Sequence, residues 1–192
     1  MSTWLATERY GLAVVPGSLA LVQDFLNTRS IMGKEIDLLA SQHDAQTWWD
    51  AAIPAWSSAS GLQVALPSLT SPDTSSLRQL RATIDGWQTG ELPTGPTSLP
   101  GTASFALDAT GLVRFVPIGK GASWLSSALW SEIALAQAAG TWSRLKRCRN
   151  PQCRSAFYDQ SKNNSAVWHD FKVCGNAVNL RASRARRRAG AQ

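Results

Sequence analysis

At 192 residues the chain is long enough for one ordinary domain and a small appended module. Hydrophobic content of 44% and nine tryptophans exclude a disordered chain, and no run approaches the roughly 20 apolar residues needed to cross a bilayer. The net charge of +6 is unevenly spread: residues 144–192 carry twelve Lys/Arg against Asp159 and Asp170, a net of +10, whereas residues 1–143 have a net of −4. Such asymmetry points to a polyanion partner at one end of the molecule; no membrane partner is expected.

In chain order, residues 9–22 predict one or two short strands around Pro16-Gly17. Gln23 to Thr28 then lead into a helical stretch. A helix is expected over residues 37–52, with Ser41 or Asp44 as its cap ahead of Trp48 and Trp49. Residues 57–76, rich in Ser and Pro, predict a long connection. Leu77, Leu80, Ile84 and Trp87 recur at helical spacing and predict a core-facing helix. Residues 89–103 predict a loop, and residues 103–118 alternate apolar and polar residues around an Ala-Thr-Gly turn, as a hairpin would. The strongest helical pattern follows, with Trp124, Leu125, Leu129, Ile133, Ala136 and Gly140 on one face. It is expected to run stiffly into Cys148. The whole predicts an α+β fold: a mixed domain over residues 1–143 and a small basic module over residues 144–192.

All three cysteines fall between positions 148 and 174, an odd number that suits a metal set better than disulfides and fits a reducing cytoplasm. The apolar stretch Leu12 to Val22 is broken by Pro16 and Gly17, so no secretory leader is expected. The spacing Cys148-x4-Cys153-x15-His169-x4-Cys174 offers two short chelate pairs, which zinc can gather into a tetrahedron. Asn150-Pro151 supplies the turn inside the first pair. Arg147, Arg149 and Arg154 are placed to favour thiolates. Phe157, Tyr158, Trp168 and Phe171 are candidates for a miniature core around the metal. The competing reading is three buried free cysteines with an incidental histidine, and Asp159 or water stands as an alternative to His169. Four protein ligands would leave zinc no open position, making it structural. His43 is expected to be a solvated side chain.

After Cys174, Gly175 permits a tight turn and Asn176 is a good cap for a helix starting at Ala177. Arg181, Arg184, Arg187 and Arg188 would form a positive stripe able to bind phosphate or a guanine edge, while Val178, Ala182 and Ala185 could pack on the zinc core.

The run from Arg144 to Arg188 resembles a CGNR zinc finger, with its two early cysteines, Phe157, Asp159 and Ser161, an aromatic beside the third ligand, and Cys174-Gly175-Asn176. Residues 18–30 resemble the start of the ABATE domain that precedes that finger, through Asp24, Phe25, Asn27 and Thr28. The resemblance implies a bacterial, stress-associated transcription regulator whose finger contacts DNA. Two departures are visible: the third ligand, usually cysteine, is His169, and the motif arginine is Ala177. Arg181 and Arg184 are the candidate substitutes for that arginine.

Three functions follow as expectations. One is a DNA-binding regulator with the N-terminal domain as sensor. Another is an interaction module docking on RNA or an acidic protein. The third is an enzyme around Asp24, Asn27 and His43, which has least support because no nucleophile–base pair, phosphate loop or open metal site is legible. Asp24 and Asn27 are retained as a candidate ligand site. A single small finger gives little specific affinity, which favours a homodimer.

Overall fold

The computed structural model describes residues 4–64, 68–91, 93–95 and 97–189. Its fold is α+β, with helices forming one core and two short antiparallel hairpins set against it. At its centre lies α2 (Ala20–Leu26), every residue of which is buried. A helix buried on all sides, here with Gln23 and Asp24 enclosed among apolar residues, shows no 3.6-residue alternation of apolar and polar positions. That is why residues 9–22, expected as strands, instead hold an extended segment and a turn at Pro16-Gly17 leading into α2. The single turn α1 (Leu5–Glu8) precedes it. Arg9 follows, and its guanidinium donates to the carbonyls of Asn27, Thr28 and Arg29 at 2.8–3.1 Å. A cation thereby satisfies acceptors at the C-terminal end of α2 that the helix itself leaves unpaired.

Helix α3 (Gln42–Ser60) starts at Ser41, whose hydroxyl accepts from the Asp44 N–H at 3.1 Å, so Ser41 is the cap. It continues through Pro54, further than the Ser/Pro-rich composition of residues 57–76 predicts. Helix α4 (Ser71–Gln88) also begins inside that stretch, leaving residues 61–70 as the connection; of that connection residues 65–67 lie outside the described residues, as do 92 and 96 of the predicted loop. Leu77, Leu80 and Ile84 are buried as their spacing predicts.

Helix α5 (Gly121–Ala138) packs against α4. One carboxylate serves the start of both: Asp73 accepts from the N–H and hydroxyl of Thr70, at 2.7 and 2.6 Å, and from the Ala122 N–H at 2.8 Å. Gly121 makes this approach feasible, because its φ is +51° and a Cβ there would lie 2.6 Å from the Asp73 carboxylate. Trp124 of α5 meets Trp49 and Trp56 of α3 edge-on, with centroids 5.6 and 5.5 Å apart. Such pairs add to the area term.

The predicted hairpin forms, with β1 (Thr102–Leu107) paired antiparallel to β2 (Val113–Ile118). Ser126 and Ser127 of α5 donate to the carbonyls of Pro100 and Thr102 and hold it. Phe105, Leu107 and Val113 stay exposed, so its alternation does not reflect one buried face. The expected stiff run from α5 to Cys148 is also corrected. The helix ends at Ala138, a turn of 3-10 helix covers Trp142–Arg144, and β3 (Leu145–Arg147) then pairs with β4 (Ala156–Tyr158).

Contact between α2 and β4 fastens the C-terminal segment to the helical core. The Asn27 side-chain amide accepts from the Ala156 N–H at 2.8 Å and donates to the Ala156 carbonyl at 3.0 Å, fully buried. Truncation to alanine leaves the Ala156 N–H without this partner and its carbonyl with only the longer contact from Gln23 Nε2 at 3.3 Å. We expect Asn27→Ala to cost about 2–4 kcal/mol in urea denaturation of the zinc-loaded protein; a change below about 0.5 kcal/mol, within the range of an ordinary surface substitution, would contradict this docking role.

Candidate metal centre and basic helix

Two loops bring the donors together. In the first, the Asn150 carbonyl accepts from the N–H groups of Cys153 and Arg154 at 2.9 and 3.0 Å, closing the turn that Asn150-Pro151 predicts. Arg154 completes this turn with φ +52°, a left-handed conformation that costs a non-glycine residue about 1 kcal/mol. In the second, Asp170 caps a π turn over Phe171–Gly175 by accepting from the Val173 N–H at 3.0 Å, and this turn carries Cys174 inward. Gly175 is required by close approach, since a Cβ there would lie 2.6 Å from the Phe171 ring. Helix α6 (Asn176–Ala189) follows at once.

The thiols of Cys148, Cys153 and Cys174 and the imidazole of His169 lie within 4.8 Å of one another. His169 Nδ1 is 3.3 Å from Cys153 Sγ and 3.6 Å from Cys174 Sγ. Ligand atoms around tetrahedral zinc are separated by about 3.5–3.8 Å, as bond lengths of about 2.0–2.3 Å require. The donor set therefore fits zinc. Asp159, the alternative fourth ligand, is engaged elsewhere: it pairs with Lys146 at 2.7 Å and accepts from the Ser161 and Ala166 N–H groups, each at 2.8 Å. Burial is the largest single influence and raises its pKa, but these contacts together outweigh it and hold the carboxyl well below the usual range.

Groups behind the donors support the charged form. Asn150 Nδ2 donates to Cys174 Sγ at 3.3 Å, and Ser155 Oγ lies 3.2 Å from Cys153 Sγ. Hydrogen bonding from the Cys148 thiol, and then from His169 and Ser155, favours the Cys153 thiolate. The same Cys153 contact, with burial second, pushes Cys148 up. Zinc supplies the charge that lets all three sulfurs ionise, with release of protons.

Two of the three arginines expected to assist the thiols, Arg147 and Arg154, are paired with a carboxylate. Arg147, Arg154 and Arg29 converge on the buried carboxylate of Asp85, with Arg29 at 2.9 Å and Arg154 at 3.3 Å. The miniature core also differs from expectation. Phe157 and Trp168 lie beside the cysteines, but Ile31 and Tyr10 from the N-terminal region complete the cluster. Tyr158 packs on the main core, and Phe171 is exposed. The Met32 N–H donates to the Gln152 carbonyl at 3.0 Å, joining the two regions again.

No residue of α6 is buried. Val178 is half-buried while Ala182 and Ala185 are exposed, so the expected apolar stripe against the metal site does not form. Arg181 turns back: its guanidinium donates to Asn150 Oδ1 at 2.6 Å and to the Ala177 carbonyl at 3.2 Å. It anchors the helix to the first ligand loop. Arg184, Arg186, Arg187 and Arg188 are exposed and, among the described residues, free of ion pairs.

Asp24 and Asn27 are wholly enclosed. Asp24 accepts from the Thr7 N–H at 2.7 Å and from Trp48 Nε1 at 2.8 Å, and burial raises its pKa to about 6. Asn27 holds β4, as above. His43 is exposed on α3, distant in sequence and role from these two. The residues that reasoning from sequence passed over are Asp85 and Gln88, which meet the module from α4; Gln88 Nε2 donates to the Leu145 carbonyl at 3.2 Å. Nothing in their local pattern distinguishes them from solvated positions on a helix.

A closed cluster of three cysteines and one histidine, seated on a helical core and followed by a basic helix, defines a structural zinc-binding module. The CGNR zinc finger family model matches residues 144–187, under a quarter of the chain, so the segment is similar to that finger. No curated protein matches the chain. Among the described residues no helix is long and apolar enough to cross a membrane.

We expect His169→Cys to retain about one zinc per chain, because zinc accepts either donor, and His169→Ala or Cys153→Ser to lose metal to a chelator at least tenfold more readily. Metal analysis after graded chelation reads this; chelator resistance equal to the parent in Cys153→Ser would remove that sulfur from the ligand set.

Proposed function

We propose that the chain is a zinc-dependent DNA-binding regulator in which the structural zinc positions α6 against the duplex. The observation that carries this reading is that α6 is a fourteen-residue helix burying none of its residues while presenting Arg184, Arg186, Arg187 and Arg188 to solvent. An isolated helix of that length is marginal in water, and like charges along it weaken it further. Phosphates would neutralise those charges, and arginine forks match both phosphate oxygens and a guanine edge. The net charge of +10 over residues 144–192 supports the same partner. With Ala177 in place of the motif arginine and Arg181 tied to Asn150, Arg184 is the first arginine along the helix able to reach outward.

The N-terminal domain, ABATE-like through Asp24, Phe25, Asn27 and Thr28, would act as the sensor of a bacterial, cytoplasmic transcription regulator. We read no catalytic role, since four protein donors leave the metal no open position. A second reading, docking on an acidic protein, RNA or a second copy of the chain, is favoured by one observation. Phe171, Val173 and Leu180 are exposed at the root of α6, at 60%, 51% and 52%.

The test is a titration of the zinc-loaded protein against a fluorescent duplex, an RNA of matched length and heparin at several salt concentrations. We expect salt-dependent duplex binding that weakens at least tenfold in Arg184→Ala/Arg187→Ala and falls with chelator. Duplex binding that ignores salt or survives complete zinc removal would overturn the proposal, and a loss confined to Phe171→Ser/Leu180→Ser would favour the second reading.

A further inference from the structure

A cavity of about 690 Å³ opens where the zinc module meets the end of α4. Gln88, Thr89 and Trp142 line one side, and the first ligand loop lines the other. Four cationic side chains, Lys146, Arg147, Arg149 and Arg154, contribute to its wall, and no acidic residue does. The acids behind it are too few to balance them. Lys146 is matched by Asp159, but Asp85 alone faces Arg147, Arg154 and Arg29.

Arg147 is the sharpest anomaly. Its side chain is 4% exposed, and beyond the ion pair of its Nε with Asp85 its buried Nη1 and Nη2 have no hydrogen-bond acceptor. Unmet donors on a buried cation are among the costliest arrangements in a protein interior. The side-chain Oε1 of Gln88 is buried and unpartnered as well. Arg154, moreover, keeps a long cationic side chain at φ +52°, where glycine would be free of strain. Non-glycine residues held in that region are found at ligand clamps more often than elsewhere.

We propose that this cleft binds a phosphate group, held by Arg149 and Arg154 at its mouth and by the charge of Arg147 in its wall. Arginine guanidinium groups recognise phosphate oxygens by paired, charge-assisted hydrogen bonds. The phosphate comes from one of two sources, a free phosphorylated small molecule or the backbone of a bound duplex. Either would bear on α6, because Arg149 and Pro151 of the cleft flank Asn150, the residue that Arg181 grips. The site does not depend on α6 contacting DNA.

The experiment uses the full zinc-loaded chain and the paired variant Arg149→Ala/Arg154→Gly, glycine being chosen because it fits the left-handed backbone. Lys162→Ala, an exposed lysine outside the cleft, is the control. Inorganic phosphate and pyrophosphate are titrated calorimetrically at constant ionic strength against chloride, and a short duplex is titrated in parallel. Saturable phosphate binding weakened about tenfold or more by the paired variant, with zinc content and urea midpoint retained, establishes a free anion as the source. No phosphate saturation, but a duplex affinity that falls in the paired variant with a salt slope smaller by about two, assigns the cleft to the DNA backbone. Phosphate no better than chloride, together with duplex binding equal to that of Lys162→Ala, overturns the proposal. Loss of duplex binding in the α6 variants with phosphate binding intact separates the two sites.

Discussion

The convergence of three sulfurs and one imidazole nitrogen within 4.8 Å is the constraint on which the C-terminal architecture depends. Two separate loops are tied at that point, and Cys174 sits in the π turn from which α6 departs. Without a cation, three buried thiols and a half-buried histidine would stand together with no charge to bind the two loops to each other. Zinc binding in such segments is folding free energy. It orients α6 through Cys174, while the Arg181–Asn150 hydrogen bond fixes the helix to the other ligand loop.

The module does not stand on metal alone. Asn27 pairs with both peptide groups of Ala156, Gln23 Nε2 reaches the same carbonyl at 3.3 Å, and Asp85 receives Arg147 and Arg154. Ile31 and Tyr10 close over the cysteines. These contacts make the metal centre continuous with the helical core, so a change in that core has a direct physical route to the ligand loops. The carboxylate of Asp85 is central to this route, because it balances part of a buried positive cluster that would otherwise separate the two regions.

Much of the metal centre was legible in the sequence. Zinc chemistry demands particular residue types at short spacings, and Cys148, Cys153, His169 and Cys174 satisfy both in one segment. The two long amphipathic helices and the hairpin were legible for the same reason: capping at Ser41, the period of Leu77, Leu80 and Ile84, and alternation around Asp108 are local signals. Long-range partners were not. Asp24, Phe25, Asn27 and Thr28 stand out as a motif, but their chain neighbours do not reveal that Asn27 receives a strand 129 residues away. Residues 20–22, the first turn of α2, read as strand while Gln23 to Thr28 read as leading into a helix, because complete burial of α2 leaves no helical periodicity to join them. Arg181 was placed on a binding stripe by its spacing from Arg184 and Arg188, whereas the acceptor that claims it, Asn150, lies 31 positions earlier.

Cobalt substitution tests the closed four-ligand site most directly. Co(II) replacing zinc in a set of three thiolates and one imidazole is predicted to give intense visible d–d bands of a tetrahedral ion with strong sulfur-to-cobalt charge transfer, at one equivalent per chain. Azide or cyanide should leave that spectrum unchanged, since no coordination position is open. Weak bands of a five- or six-coordinate ion, charge transfer corresponding to fewer than three thiolates, or a spectrum that shifts with added anion would contradict a structural, closed centre.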